Sequence, residues 1–253
     1  MSYHIDVLPG DIDKNTPHMF DKSGVIKTKI PYTQEYHYHA TSIASYVIKT
    51  GDESNLKWLM DNMDEDGSIH HDFVFPFYNM EKNWVGGLAQ GLMASALALK
   101  GEEELAVKAC ESIDKYCLKR YRICEYPDVE ILNGWIYALF GLYDAKYDKL
   151  FKLSCSELEC SLKHYDVGYW SLYDQCDKFP ATRFYHDIHV KQLFVLYGLT
   201  QNNQFLRYYS LFKSYKTKSN ERRANLIKYF MVLKKNNVRI ISKMNQRRRW
   251  LNG

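Results

Sequence analysis

An all-α fold is what the sequence predicts, and three observations predict it. Apolar residues recur at intervals of three and four through eight segments. The segments come in pairs joined by short polar turns, and the pairs begin roughly fifty residues apart, the mark of repeated helical hairpins. Within each pair the first segment is apolar nearly all round and the second amphipathic, so first helices belong inside and second helices outside. Two concentric layers of this kind make an α/α toroid of about four hairpins.

The first pair is HATSIASYVIKT and NLKWLMDNM, around the turn GDES. GLAQGLMASALALK and LAVKACESIDKYCLKRY meet at GEEE. EILNGWIYALFGLYD and KLFKLSCSELECSLKHY flank AKYD, and HVKQLFVLYGL and QFLRYYSLFKSYK flank TQNN. Gly51 and Gly101 stand where a helix C-terminus takes up a left-handed residue. Residues 1–215 form one domain, of which 1–30 are a short N-terminal arm, and 216–253 a basic helical tail.

The links from each outer helix to the next inner one read DEDGSIHHDFVFPFYNMEKNW, RICEYPDV and DVGYWSLYDQCDKFPATRFYHDIH. They carry Gly, Pro, Trp, Tyr and His in non-helical patterns, and all emerge at the same end of the toroid. Loops held by a rigid scaffold are where sites concentrate, so this end is expected to carry the function.

Composition narrows the class. The chain has 253 residues, 46% hydrophobic and 25% charged, which excludes a disordered or collagen-like protein. No apolar run reaches the ~18 residues a spanning helix needs. The opening MSYHIDVLPGDIDK lacks the basic start and apolar stretch of a secretory signal. Six cysteines make no disulfide scaffold, and Cys110, Cys117 and Cys124, seven apart, read as one buried stripe of a helix. A reduced, cytoplasmic protein is expected.

Two imbalances remain. The 21 Tyr and 5 Trp exceed what a core requires, and such rings also serve as platforms for sugars. From Lys216 onward there are twelve Lys or Arg and one acid, Glu221, a charge of +11. The first 215 residues carry 22 basic and 29 acidic side chains, or −7. In the tail, Leu226, Ile227, Phe230, Met231 and Leu233 gather on part of a helical face among the cations. Such a segment can dock on the acidic body, lie at an anionic membrane surface such as the inner membrane, or grip an anionic glycan. Nucleic acid is disfavoured, because no recognition motif accompanies the charge.

Four blocks in order, NWVGGLAQG (83–91), EYPDVEILNGWIYALFGLYD (125–144), YDVGYWSLYD (165–174) and YHDIHVKQL (185–193), resemble the D-glucuronyl C5-epimerases of heparan sulfate biosynthesis and their bacterial relatives. DEDGSIHHDFVFP and YTQEYHYHATSIASY look like the same family, so the resemblance covers roughly residues 20 to 215. The family's catalytic domain is an α/α toroid, in agreement with the hairpin count. The resemblance implies inversion at C5 of a uronic acid within a polysaccharide, D-glucuronate becoming L-iduronate. Removing a proton beside a carboxylate demands groups that neutralise that carboxylate, hold an enediolate, and place a base and an acid on opposite faces.

On this resemblance the catalytic tyrosines are Tyr126 of EYP, Tyr173 of SLYD and Tyr185 of FYHDIH, and the acidic neighbour is Glu125. Tyr126 and Tyr185, or Tyr173, would take and return the proton, and Glu125 would orient or ionise one of them. Trp84 and Gln90 fall at positions that face the sugar groove in the family; from the residues alone they are a core ring and a cap. Asn133 of LNG either hydrogen-bonds the sugar or caps its helix. His186 and His189, three apart, lack the further ligands of a metal site, so no metal is expected. His186 is expected to donate to the substrate carboxylate, with His189 a satisfied core histidine.

His70, His71 and Asp72, adjacent on an extended link, point to alternating faces and read as a surface loop. Many family members have an Arg where this chain has Cys176, and Arg183 or Lys178 would supply the missing charge. The N-terminal β-rich modules of the animal enzymes are absent from the chain. No cofactor is called for, because no hydride moves. The expected partner is a uronic-acid-containing polysaccharide, and a homodimer is left open. The rival readings are a uronate polysaccharide lyase, which shares the first step and then expels the C4 substituent, and a non-catalytic glycan-binding scaffold.

Overall fold

The computed structural model describes residues 4, 5, 8, 16–30, 33, 35–125 and 128–251, with side chains through residue 236. It is mostly helical. Eight helices fall in four hairpins where the apolar rhythm places them: α1 (Ala40–Thr50) with α2 (Glu53–Asp61), α3 (Gly87–Leu99) with α4 (Glu103–Ser112), α5 (Leu132–Asp144) with α6 (Asp148–Ser161), and α7 (Arg183–Thr200) with α8 (Asn203–Ser214). A long helix, α9 (Lys218–Leu251), follows. Among the described residues no helix is long and apolar enough to cross a membrane.

Local chemistry sets the hairpin ends. Gly51 takes φ +74° after α1, and Asp52 caps α2 by accepting from Asn55 N at 2.9 Å. Thr182 caps α7, its hydroxyl accepting from Tyr185 N, so that helix begins at Arg183, ahead of the HVKQLFVLYGL segment. Tyr185, His186 and Asp187 thereby move from the link onto the start of α7, the first two in its first turn.

The first helices of the hairpins pack side by side in chain order, α1 on α3, α3 on α5 and α5 on α7, and each also packs on its own second helix. Helices α3 and α5 are buried all round, whereas α4, α6 and α8 bury one face. The α3–α5 crossing brings backbone onto backbone: a Cβ added to Gly91 would fall on the Cα of Ala138, and one on Gly141 would fall on the Gly91 carbonyl. Gly91→Ala should therefore lower stability by about 1–3 kcal/mol, the cost of overpacking. Gly198 of α7 has open space around the same position, so Gly198→Ala should raise stability by about 0.5–1 kcal/mol. Thermal unfolding of the two variants checks this opposition of sign.

The chain is not helical throughout. In the N-terminal arm and just beyond it, β1 (His18–Phe20), β2 (Ile26–Lys29) and β3 (Tyr36–His37) form an antiparallel sheet in that order, with His18 opposite Thr28 and Thr28 opposite His37. The Asp21 carboxylate closes the first hairpin by accepting from Ser23 N and Val25 N. Asn55 of α2 pins the sheet, accepting from Ile26 N and donating to the Gly24 carbonyl, both at 3.0 Å.

A second correction concerns α4. It ends at Ser112, passes through a wider turn at Ile113–Cys117, and gives way to a hairpin of β4 (Leu118–Lys119) and β5 (Arg122–Ile123). Arg120 and Tyr121 at its tip both have positive φ, the geometry of a tight two-residue turn. The expected cysteine stripe is therefore not a helical one: Cys110, Cys117 and Cys124 are all buried, but only Cys110 lies on α4. All six cysteines are free thiols.

Candidate active site

Four helices begin around one cavity of about 340 Å³. It is lined by Thr41 and Ser42 from the first turn of α1, Leu88 from that of α3, Asn133 from α5, and Phe184 and Tyr185 from α7. Each helix N-terminus carries roughly half a positive charge, while several of the first-turn N–H groups, among them Leu88 N and Tyr185 N, already have partners. Their convergence favours an anion, although no Lys or Arg is among the described lining residues. Rings supply much of the remaining wall, among them Phe73, Phe75, Tyr78, Trp84 and Tyr173. Trp84 is fixed by its Nε1–H, which donates to the Phe73 carbonyl at 3.0 Å.

Glu125 is the cavity's acid. Its backbone bridges Gly86 on one side and Val129 on the other, which carries the carboxyl to the start of α3. There it accepts from Leu88 N at 3.0 Å. A Cβ on Gly86 would overlap one carboxyl oxygen, and a Cβ on Gly134 would lie 3.0 Å from the other. Gly86 is thus needed to seat the group, and Gly134 leaves it little room to spare. Burial raises its pKa from 4.5 to about 7, and the Leu88 N–H only partly opposes that rise.

Tyr173 and Tyr185 lie ring against ring, with centroids 4.6 Å apart. The Tyr173 hydroxyl donates to Tyr185, which lowers the Tyr185 pKa and raises that of Tyr173. Burial is the larger effect on both and pushes them above the ordinary value of 10.0, so both phenols keep their protons at neutral pH. Glu125 is close enough to act on Tyr173 electrostatically. Asn133 is buried with its side-chain oxygen lacking a partner among the described residues.

Three lining residues carry no signal in the sequence. Tyr78 donates to the buried Asp174 at 3.0 Å, and Asp174 in turn accepts from Asp177 N and Lys178 N. His18 and His39 belong to a chain of contacts: His18 Nδ1 to Thr28 Oγ1 at 3.0 Å, Thr28 to Ser42 at 2.8 Å, and Ser42 to His39 Nδ1 at 3.1 Å. With each hydroxyl donating onward, the proton of His39 sits on Nε2. Burial, and then the neighbouring His18 and His37, lower its pKa to about 4; burial lowers that of His18. Both are neutral at pH 7.

The structure brings Glu125, Tyr173, Tyr185, Trp84 and Asn133 to this cavity and places Gln90, Arg183 and His186 elsewhere. Tyr126 lies outside the described residues. Gln90 faces away from the groove: its oxygen accepts from Ile69 N at 3.2 Å and its nitrogen donates to the Gly67 carbonyl and to Ser112. His186 is buried on the face of Trp170, donating from Nε2 to the Phe212 carbonyl at 2.9 Å and accepting at Nδ1 from Ser171. With that hydroxyl committed, His189 Nδ1 donates to Ser171 Oγ at 2.8 Å, leaving His189 Nε2 an acceptor with no partner among the described residues.

Arg183 spends its charge on Asp187 at 3.0 Å and Glu221 at 2.8 Å. Lys178 is exposed, and Cys176 meets the Asp128 carbonyl. His71 corrects the surface-loop expectation: it is buried with its ring centroid 3.9 Å from that of Trp84, while Asp72 reaches outward to His37. Among the described residues no group of His, Cys, Asp or Glu could hold a metal ion.

Residues 108–214 match the model of a family described as D-glucuronyl C5-epimerase C-terminus. That match relates the chain to the uronyl epimerases, an isomerase-type activity. It contains Glu125, Asn133, Tyr173 and Tyr185, and excludes the wall formed by His18, His39, Tyr78 and Trp84. A relative from Methanocaldococcus jannaschii, the uncharacterized protein MJ1128, is 26% identical over 243 residues, spanning 80% of this chain and 75% of that protein.

Proposed function

We propose that the chain is a uronyl C5-epimerase, an α/α toroid that converts D-glucuronyl to L-iduronyl residues within a polysaccharide. The observation that carries this reading is Glu125, a buried carboxyl with a pKa of about 7 beside two paired phenols, where four helix N-termini converge. A proton next to a carboxylate is removed most readily by a base that is ionised near neutral pH and poorly solvated. Among these groups only Glu125 meets that requirement, since Tyr173 and Tyr185 stay protonated. It takes the C5 hydrogen, and the C–H electron pair moves into a C5–C6 double bond as the C6 carboxylate becomes an enediolate.

Tyr185 then gives its proton to C5 from the other face, forming the new C–H bond. Its phenolate is held by the hydroxyl of Tyr173. The C6 oxygens find donors at the helix N-termini, at Asn133 and at neutral His39, whose pKa a bound anion would raise. Tyr126, next to Glu125 in the chain, takes a share of the proton handling in this scheme.

The test is incubation with an unsulfated glucuronate polymer in heavy water, read by NMR at C5. Deuterium at C5 together with L-iduronyl signals, at unchanged chain length, is the expected result. Shortened chains with ultraviolet-absorbing unsaturated ends would make the protein a lyase. Absence of exchange with retained polymer binding would make it a scaffold.

A further inference from the structure

Helix α9 meets the rest of the molecule mainly with one side, and the long side chain of Arg223 also reaches the Tyr169 ring, its Cζ 4.0 Å from the centroid. Ala224 is buried against Trp170 and Ala181, and Glu221 pairs with Arg183. Lys228 Nζ stands 5.8 Å from the Tyr173 ring centroid, and Lys235 pairs with Asp177 and lies 4.2 Å from the Phe77 ring centroid. At about 100° per residue, positions 221, 224, 228 and 235 fall within one narrow arc. The opposite arc holds Leu226, Tyr229, Phe230 and Leu233, which are 57, 59, 60 and 40% exposed. Exposed Lys218, Arg222 and Lys234 stand along it.

The acidic body therefore satisfies the tail's docking side and leaves an apolar stripe uncovered. We propose that this stripe is a docking face for an anionic phospholipid surface. Large apolar and aromatic side chains on a helix rich in Lys and Arg insert shallowly at the headgroup boundary, while the cations keep their charged ends at the phosphates. A second copy fits less well, because pairing two stripes would set +11 against +11. Helix α9 touches Tyr173, a cavity-lining residue, with its other side. A bilayer on the stripe would thus lie roughly one helix diameter, ~10 Å, from the cavity wall. This inference is independent of the reaction assigned to the cavity.

The test is flotation of the full chain with phosphatidylcholine vesicles, with and without phosphatidylglycerol. The chain should float with the anionic vesicles only, and added salt should weaken the association. A Phe230→Glu, Leu233→Glu double variant should bind at least about tenfold more weakly. Its thermal unfolding should match that of the wild type, because both side chains face away from the body. Equal flotation with neutral vesicles, or a double variant that floats like the wild type, would overturn the proposal. A wild-type dimer that becomes a monomer in the double variant, without vesicle binding, would assign the stripe to a second copy instead.

Discussion

Glu125→Gln should reduce deuterium exchange at C5 of glucuronyl residues by about 10²–10⁴-fold, the usual worth of a positioned general base. The amide keeps the size of the carboxyl and an oxygen to accept from Leu88 N, so the loss should be one of chemistry and not of fold. Stability gives an independent check. In the unfolded chain this carboxyl deprotonates near 4.5, in the folded protein only near 7. Between those values the folded state binds the extra proton, so ionisation of Glu125 makes stability fall as pH rises through that window.

Above pH 7 the accumulated cost is roughly 3 kcal/mol, and the Gln variant escapes it. The variant should unfold at a higher temperature than the wild type at pH 8, and at nearly the same temperature at pH 4. Wild-type activity should rise with pH through about 7 as Glu125 ionises. A variant that is both inactive and destabilised at pH 8 would make Glu125 a structural residue.

Tyr185→Phe should separate exchange from inversion. Glu125 can still remove the C5 hydrogen of D-glucuronyl residues and return a solvent deuteron to the same face. Deuterated D-glucuronyl should therefore accumulate, while L-iduronyl formation falls by about 10²–10³-fold. Tyr173→Phe, which removes only the hydrogen bond that steadies the Tyr185 phenolate, should cost about tenfold. NMR of the product polymer distinguishes the two. If Tyr185→Phe abolishes exchange from D-glucuronyl while Glu125→Gln retains it, the roles of base and acid are reversed.

The hairpins are legible in the sequence because the central inner helices α3 and α5 must hide apolar surface all round and the outer helices on one side only, and that difference is written in those segments; α7 is the exception, with Phe184 and Phe194 more than half exposed. The N-terminal sheet is not legible. Its strands are two to four residues long and depend on Asn55, some thirty residues away, for their anchorage. The same distance problem hides His18 and His39, which meet only through Thr28 and Ser42. Tyr78 cannot be told from the other tyrosines until Asp174, far along the chain, is seen beneath it.

Polar residues on the buried helices mislead in the opposite direction. Gln90 and His186 look aimed at a ligand, yet Gln90 stands on a helix buried all round and His186 on the buried face of α7, and both side chains find partners in neighbouring backbone and hydroxyls. Arg183 misleads because a cation near the site is drawn to the nearest acid, and α9 brings one in Glu221.

The snug seat of the Glu125 carboxyl has an evolutionary corollary. Gly86 can accept no larger residue while that acid stays where it is, and Gly134 accepts one only if the carboxyl yields slightly, so the three positions are bound to drift together. In more distant chains of this architecture, a bulkier residue at the position of Gly86 would be a legible sign, in sequence alone, that the acid has been moved or discarded and the chemistry abandoned.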